Sequence, residues 1–287
     1  MHNLRFFESM AAMYNWNYLD YFPLPVVFFG TTIFIVLAAE AGNRLGLRHA
    51  DRLVAGESAH LGPAVASTLG LLAFMLAFTF GAGTERLQSK RDLVLQESNA
   101  IGTAVLRAEL LPEPYRSNAQ RLFADYVDIL IETTEERHVP GFVSGGEEYA
   151  ESIRAGLAVA RDLHGTLWAQ AVTVATEAPA PVNSLYLAAL NEVFDILQMR
   201  VTVGMQYRMP EVFWLVLYVL AFLALALSGY ESGLSRSRRQ HAMWAVALAF
   251  ASVMTLVMAL DRPQTSAVRQ FPLLDLQAEL RAILEQR

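Results

Sequence analysis

The chain has 287 residues, of which 54% are hydrophobic, and it carries a formal net charge of −6. A soluble domain is typically about 45–50% apolar, so this composition argues against a purely water-soluble protein. Cysteine is absent, which excludes a disulfide framework and a thiolate metal site, and the acidic balance argues against nucleic acid as a partner.

The excess of apolar residues is concentrated in four windows that contain no Asp, Glu, Lys, Arg or His. A helix that crosses the hydrocarbon core of a bilayer needs about 20 apolar residues. We therefore predict four transmembrane helices, at residues 21–39, 61–83, 212–230 and 242–260. Small residues follow the first apolar run at 38–41, so a cleaved signal peptide is the alternative to an uncleaved first helix.

The second apolar window passes directly into a charged stretch that still favours helix. No Gly-Pro or Asn-Gly pair separates residues 61–83 from residues 84–111, and Pro112 is the first stop signal. We predict one helix of about 50 residues, roughly 75 Å long, of which only ~30 Å can lie in hydrocarbon. Such a helix would couple the bilayer to a water-facing domain.

The middle of the chain, residues 84–211, holds 11 basic and 18 acidic residues, a net charge of −7. Apolar residues at 3–4 spacing predict further helices at 115–136, 147–176 and 183–209, with Asn183 or Ser184 as the last N-cap. A loop is predicted at 138–146, and Pro210 kinks or interrupts the last helix before the third span. No window alternates at period two, so we expect no sheet.

The predicted fold class is an all-α membrane protein. Four transmembrane helices carry a four-helix extramembrane bundle that is continuous with the second and third spans. The chain is divided into residues 1–83 with spans one and two, 84–211 as the bundle, 212–260 with spans three and four, and an amphipathic tail at 261–287. The tail contains a short helix from Phe271, whose apolar side packs on the bundle or on a neighbouring subunit.

Four spans place both termini and the bundle on one side of the membrane. The loops 40–60 and 231–241 lie on the other side and carry six arginines, so the positive-inside rule places them in the cytoplasm. Basic residues near the membrane ends on the bundle side oppose this orientation. The predicted localisation is the inner membrane, as a multi-pass protein.

Motifs for catalysis or for metal binding are few. No two histidines are three or four residues apart, which argues against a helical metal-binding pair. The sequence has no Walker loop, no dinucleotide-binding fingerprint and no G-x-S-x-G elbow. We therefore predict no enzymatic activity, no cofactor and no metal.

Polar residues recur on the two helices that continue from the membrane. They are Glu97, Asn99 and Arg107 on the first bundle helix and Asn191, Asp195 and Arg200 on the fourth. Counted from the membrane ends, Glu97 and Arg200 both lie roughly 20 Å out, so the two helices can form pairs. Three interpretations stay open: solvated helix faces, structural ion pairs that fix helix register, and a ligand or ion site.

An apolar stripe follows one side of the second span. It consists of Leu71, Phe74, Met75 and Phe78, with Thr79 beside it. A stripe of this spacing is typical of helix packing, and the alternative is a hydrophobic constriction that lines a pore and gates by dewetting. No apolar window contains an ionisable residue, which argues against a proton relay or a voltage sensor.

Several short motifs occur along the chain in a fixed order. They are R-D-L-V-L-Q-E-S-N-A-I-G-T-A at 91–104, R-A-E-L-L-P at 107–112, N-E-V-F-D at 191–195, Pro210, Gly229-Tyr230 and Asp261-Arg262-Pro263. Their sequence and spacing resemble the bestrophin-like family of bacterial membrane proteins of unknown function. The resemblance implies distant kinship to bestrophins, which are pentameric anion channels with four spans and a helical soluble domain. Their second span lines the pore. The bestrophin neck motif and calcium-binding acidic cluster have no residue-by-residue match here, so no residue role follows.

The expected function is therefore an oligomeric membrane channel that passes small anions along an axis lined by the second span. Its expected partners are the lipid bilayer, further copies of the chain and a small inorganic anion. One alternative is a non-conducting membrane sensor or scaffold whose acidic helical domain binds a partner or a cation. A third hypothesis is a membrane enzyme that uses the carboxylates of Glu97 and Asp195.

Overall fold

The computed structural model describes residues 22–50, 61–135, 146–236, 240–262 and 268–285. Within these ranges the chain is helical and contains no β-strand. The α-helices of the described chain are α1 (Leu24–Ala50), α2 (Gly62–Ala108), α3 (Tyr115–Glu135), α4 (Gly146–Glu177), α5 (Pro181–Val201), α6 (Glu211–Leu234), α7 (Gln240–Asp261) and α8 (Phe271–Glu285). A π-helical segment, Thr202–Gln206, follows α5.

Four helical stretches of the described chain are long and apolar enough to cross a membrane. They lie within Leu24–Ala50, Gly62–Ala108, Pro181–Leu234 and Met243–Asp261. The predictions of an all-helical protein and of four candidate membrane spans are therefore confirmed. The predicted loop at 40–60 begins later than expected, because α1 continues to Ala50. Residues 1–21, 51–60, most of the predicted loop at 138–146 and Pro263 lie outside the described residues.

Helix α2 is continuous over 47 residues, from Gly62 to Ala108, and contains both the apolar window and the charged stretch. The connection between α5 and α6, in contrast, is not a continuous α-helix. After the π-helical segment the backbone leaves helical geometry at Tyr207, and α6 begins only after Pro210. Proline lacks the N–H that an internal helical hydrogen bond needs. The interruption predicted at Pro210 is present, and the predicted continuity with the third span as one helix is wrong.

The start of α5 also differs from the prediction. The helix begins at Pro181, which is favoured in a first turn because its missing N–H would be unpaired there anyway. Asn183 is buried, and its Nδ2 donates to the carbonyl oxygens of Val174 and Ala178, at 3.4 and 2.8 Å. Ser184 donates to the Pro181 carbonyl oxygen at 2.6 Å. Asn183 therefore caps the end of α4 instead of the start of its own helix.

The described residues form two compact units. The bundle unit consists of Leu87–Arg208 together with α8, and the membrane unit consists of residues 22–86 and Met209–Arg262. The core of the bundle unit combines apolar residues of α2, α3, α4, α5 and α8. The core of the membrane unit combines residues of α1, α2, α6 and α7.

Helix α8 is part of the bundle core. Its residues Leu273, Leu276 and Leu280 are buried there, and Arg281 donates to Asp128 of α3 at 3.2 Å. The apolar side of the predicted tail helix therefore packs on the bundle of its own chain.

Helices α1 and α6 approach each other unusually closely in the membrane unit. A Cβ atom added at Gly42 or Gly46 of α1 would overlap the carbonyl oxygen of a residue in α6. A Cβ atom at Gly229 or Gly233 of α6 would overlap a carbonyl oxygen of α1 in the same way. Each helix thus presents a pair of glycines four residues apart, as in the small-xxx-small packing of membrane helices.

Candidate functional site

The apolar stripe predicted on α2 divides between two faces of the helix. Leu71, Phe74 and Phe78 are 49%, 66% and 59% exposed in the single chain. Met75 is half-buried and packs against the membrane-unit core. Thr79 is 1% exposed, and its hydroxyl donates to carbonyl oxygens of its own helix at 2.9 and 3.0 Å. Met75 and Thr79 therefore face the other spans, away from the three exposed side chains.

The exposed face of α2 continues beyond the apolar window at heptad spacing. Three positions seven residues apart are all exposed: Leu71, Phe78 and Glu85. A spacing of seven residues keeps side chains on nearly the same side of an α-helix, with a drift of about 20° per repeat. The carboxylate of Glu85 therefore follows the aromatic ring of Phe78 along this face.

The polar residues predicted on the two bundle helices fall into separate environments. Glu97 of α2 is 0% exposed and forms an ion pair with Arg200 of α5. Asn99, Asn191 and Asp195 are exposed. The structure thus brings Glu97 and Arg200 together and leaves these three residues at the surface.

The remaining predicted residue, Arg107, lies near the other end of the bundle helix. Its Nη1 donates to the carbonyl oxygen of Leu185 in α5, at 2.8 Å. This bond links the same two helices as the Glu97–Arg200 pair, but at a different height. Because Glu97 is buried while Asp195 is exposed, the structure does not unite the two carboxylates of the enzyme hypothesis.

The ion pair is embedded in a buried polar cluster that sequence reasoning missed. The Tyr126 hydroxyl donates to Glu97 Oε1 at 3.4 Å, and Arg200 Nη2 donates to Gln270 Oε1 at 3.4 Å. Burial lowers the pKa of Arg200 to about 10, so the guanidinium stays charged at neutral pH. We call Glu97, Arg200, Tyr126 and His164 the buried polar cluster.

His164 joins this cluster through its ring. The imidazole lies 4.7 Å from the Tyr126 ring and 4.1 Å from the Phe194 ring, between centroids. Burial, together with the smaller effect of the nearby positive charge of Arg161, lowers the pKa of His164 to about 3. The ring is therefore neutral at physiological pH and acts as an aromatic packing element.

Replacement of His164 by phenylalanine is expected to weaken the loss of stability at low pH. The pKa of a histidine is about 6.5 when unfolded and about 3 here, so the unfolded chain binds more protons between these values. Stability then falls as pH drops from about 6.5 to 3, and His164 alone contributes about 2 kcal/mol of loss between pH 7 and 5. Thermal unfolding of the purified protein in detergent at both pH values measures the difference.

The control for this prediction is Trp168→Phe, which alters the packing on Phe194 without removing a titrating group. This variant should keep the pH dependence of the wild type. Equal losses between pH 7 and 5 in the wild type and in His164→Phe would contradict the prediction.

A second polar cluster lies in the membrane unit, where α7 ends. Arg86 Nη1 donates to Asp261 Oδ1 at 3.0 Å, and the same oxygen accepts the backbone N–H of Met209 at 3.2 Å. Arg262 Nη2 donates to the carbonyl oxygen of Phe22 at 2.6 Å. We call these five residues the span-end cluster. Its sequence signal is an Asp-Arg pair directly after the fourth apolar window, within the motif Asp261-Arg262-Pro263, for which no partner was predicted.

No group of three or more acidic, histidine or cysteine side chains in the described residues is arranged to hold a metal ion. The chemistry that the described clusters offer is electrostatic. They contain paired charges in low-dielectric surroundings, and the exposed face of α2 places the carboxylate of Glu85 next to aromatic rings.

Comparison with known proteins shows which family model and which solved structures this chain is similar to. A family model described as the Bestrophin-like domain matches residues 33–268. A crystal structure of a variant of a bacterial Bestrophin homolog from Klebsiella pneumoniae is similar, with 16% identity, a TM-score of 0.57, and coverage of 88% of this chain and 97% of that chain. For a second variant of that protein the identity is 16% and the TM-score 0.59, with coverage of 89% of this chain and 98% of that chain. A crystal structure described as that of a membrane protein has 15% identity and a TM-score of 0.59, with coverage of 92% of this chain and 97% of that chain.

No curated protein matches the chain. The similarity to the solved structures supports the fold, and the family model supports the assignment of the chain to a family. The matched range contains the exposed face of α2, the ion pair between Glu97 and Arg200, and the Arg86–Asp261 pair. Since the match extends over well more than half of its length, this chain belongs to the Bestrophin-like family.

Proposed function

We propose that this protein is an oligomeric channel of the inner membrane that passes small anions along an axis lined by α2. The observation that carries the proposal is the exposed face of α2, where Leu71, Phe74 and Phe78 are not covered by the described residues of the protomer. Large exposed apolar surfaces on a membrane helix meet either lipid or another protein chain. Kinship to bestrophins favours the second, with further copies of this chain as the partner.

A cyclic oligomer gives this face a role. Copies of α2 around a symmetry axis place the rings of Phe74 and Phe78 towards a common centre, where they form a hydrophobic constriction. One protomer has too few membrane helices to enclose such a path. The absence of ionisable residues from 61–83 fits a constriction that gates by excluding water, because no charge in this window holds an ion there.

Passage of small cations is a second candidate, which a specific observation favours. Glu85 continues the face of Phe78 at heptad spacing and is exposed. Rings of carboxylates attract cations and repel anions in a channel mouth. Kinship to bestrophins therefore supports anions, whereas the charges next to the aromatic residues support cations.

Replacement of Phe78 by alanine is expected to raise ion flux about tenfold, which corresponds to a barrier lower by about 1.4 kcal/mol. Smaller side chains widen the constriction and make it easier to hydrate. Stopped-flow flux into liposomes that contain purified protein measures the change. Phe29→Ala on α1 is a matched control, since Phe29 is 62% exposed but lies on another helix, and it should leave flux unchanged.

The permeant ion follows from the reversal potential of the same protein in a planar bilayer under a KCl gradient. Its sign separates anion from cation passage, and a loss of cation preference in Glu85→Gln would support the second candidate. No flux from either the wild type or Phe78→Ala would reject conduction. The non-conducting sensor or scaffold would then be the better hypothesis.

A further inference from the structure

The span-end cluster connects elements from all four candidate spans. Asp261 is the last residue of α7 and is 1% exposed. One of its oxygens accepts from Arg86 of α2 and from the backbone N–H of Met209, just before α6. The next residue, Arg262, holds the carbonyl oxygen of Phe22, just before α1. Two consecutive residues at the end of α7 thus tie the ends of the other three membrane helices.

Helix α2 is attached to the other spans in a different way from α1 and α6. The latter two meet backbone to backbone at four glycines, where an added Cβ would overlap the facing helix. On α2, a Cβ added at Gly70 or Gly81 would meet no atom within 4 Å. The apolar part of α2 packs through side chains such as Leu72 and Leu76.

Apolar side-chain contacts are non-directional, so they define the axial position of a helix less sharply than a hydrogen-bonded ion pair does. A hydrogen-bonded ion pair between a guanidinium and a carboxylate has a defined length and direction. The Arg86–Asp261 pair therefore restricts both the axial position and the rotation of α2. Arg86 lies two helical turns beyond Phe78 on the same rigid helix, so any shift at Arg86 is passed on to the ring.

We propose that Asp261 is a positioning residue, which holds α2 in the register that points Phe74 and Phe78 in a fixed direction. The consequence for flux rests on the proposed function above, whereas the consequence for the position of α2 does not. Both consequences can be measured separately.

Position is measured by a disulfide between α2 and α7. A Cβ atom at Gly83 would lie 3.5 Å from Cβ of Leu260, which suits a disulfide, and the chain has no native cysteine. In the double variant Gly83→Cys/Leu260→Cys we expect rapid oxidation. Addition of Asp261→Asn or of Arg86→Gln should slow oxidation about tenfold, because α2 no longer stays in register. The asparagine keeps an oxygen for the Met209 N–H.

The matched control is Glu40→Gln in the same cysteine background. It breaks the exposed Arg44–Glu40 pair within α1, at 2.8 Å, and should leave the oxidation rate unchanged. Unchanged rates in both Asp261→Asn and Arg86→Gln would overturn the proposal. Loss of the folded protein in both variants would also overturn it, since Asp261 would then be needed for folding itself.

Flux is measured on the same set in liposomes. Asp261→Asn should change ion flux several-fold, and oxidation of the Gly83→Cys/Leu260→Cys pair in that variant should restore the wild-type value. If Asp261 only stabilised the fold without positioning α2, a disulfide between α2 and α7 would not restore the wild-type flux. Slow oxidation together with no flux in the wild type would support the positioning role and reject the channel.

Discussion

Replacement of Arg200 by methionine is expected to lower the free energy of unfolding of the bundle unit by about 3–5 kcal/mol. Glu97 is fully buried, and without Arg200 the hydrogen bond that its carboxylate would keep among the described residues is the long one from Tyr126. An unpaired charge in a protein interior costs far more than the ion pair itself contributes. The loss of helical circular dichroism on heating in detergent measures the shift of the unfolding transition.

Two further variants separate the ion pair from general packing. The double variant Glu97→Met/Arg200→Met removes both charges and should recover most of the lost stability, because no buried charge is left. Arg154→Met breaks the exposed pair with Glu151 and should change stability by less than about 0.5 kcal/mol. A double variant as unstable as Arg200→Met would show that the charge is not the cause.

Replacement of Gly42 by alanine is expected to destabilise the membrane unit by about 3 kcal/mol. Alanine normally favours helix over glycine by about 1 kcal/mol, so the expected sign is opposite to that of helix propensity. The reason is steric: the new Cβ overlaps the backbone of Ala226, and a backbone cannot turn away as a side chain can. Thermal unfolding of the protein in detergent, followed by size-exclusion chromatography, measures the effect.

The matched control is Gly30→Ala in the same helix. A Cβ at Gly30 meets no atom within 4 Å, so this change should be neutral or slightly stabilising. Gly229→Ala on α6 should resemble Gly42→Ala, because it approaches the same seam from the opposite helix. Equal stabilities of Gly30→Ala and Gly42→Ala would contradict the close approach of α1 and α6.

Sequence alone predicted the features that depend on local composition. Four windows without charges gave the four candidate spans, and the absence of a breaker before Pro112 gave the continuous helix α2. The start of α5 was misplaced, because Asn183 has the chemistry of an N-cap but is taken up by the end of the preceding helix. The choice between two such hydrogen bonds depends on tertiary packing, which helix propensities do not contain.

The clusters depend on contacts between distant residues, and they were predicted only in part. Counting residues outward from the membrane placed Glu97 and Arg200 at the same distance from the bilayer. The same count could not show that Asn99, Asn191 and Asp195 face water. Tyr126 and His164 were missed because their partners belong to other helices. The close approach at Gly42, Gly46, Gly229 and Gly233 was also missed, because only Gly229 lies inside a predicted span and the other three fall in the predicted loops 40–60 and 231–241.

The place of α8 in the bundle has a consequence for biosynthesis. Leu273, Leu276 and Leu280 fill a core whose other walls are built from residues far earlier in the chain. A ribosome makes α8 only after α7, so the growing protein carries an open apolar groove during the whole time that the later hydrophobic segments enter the membrane. Completion of the bundle is therefore a late step of synthesis, because its core closes only when α8 has been made.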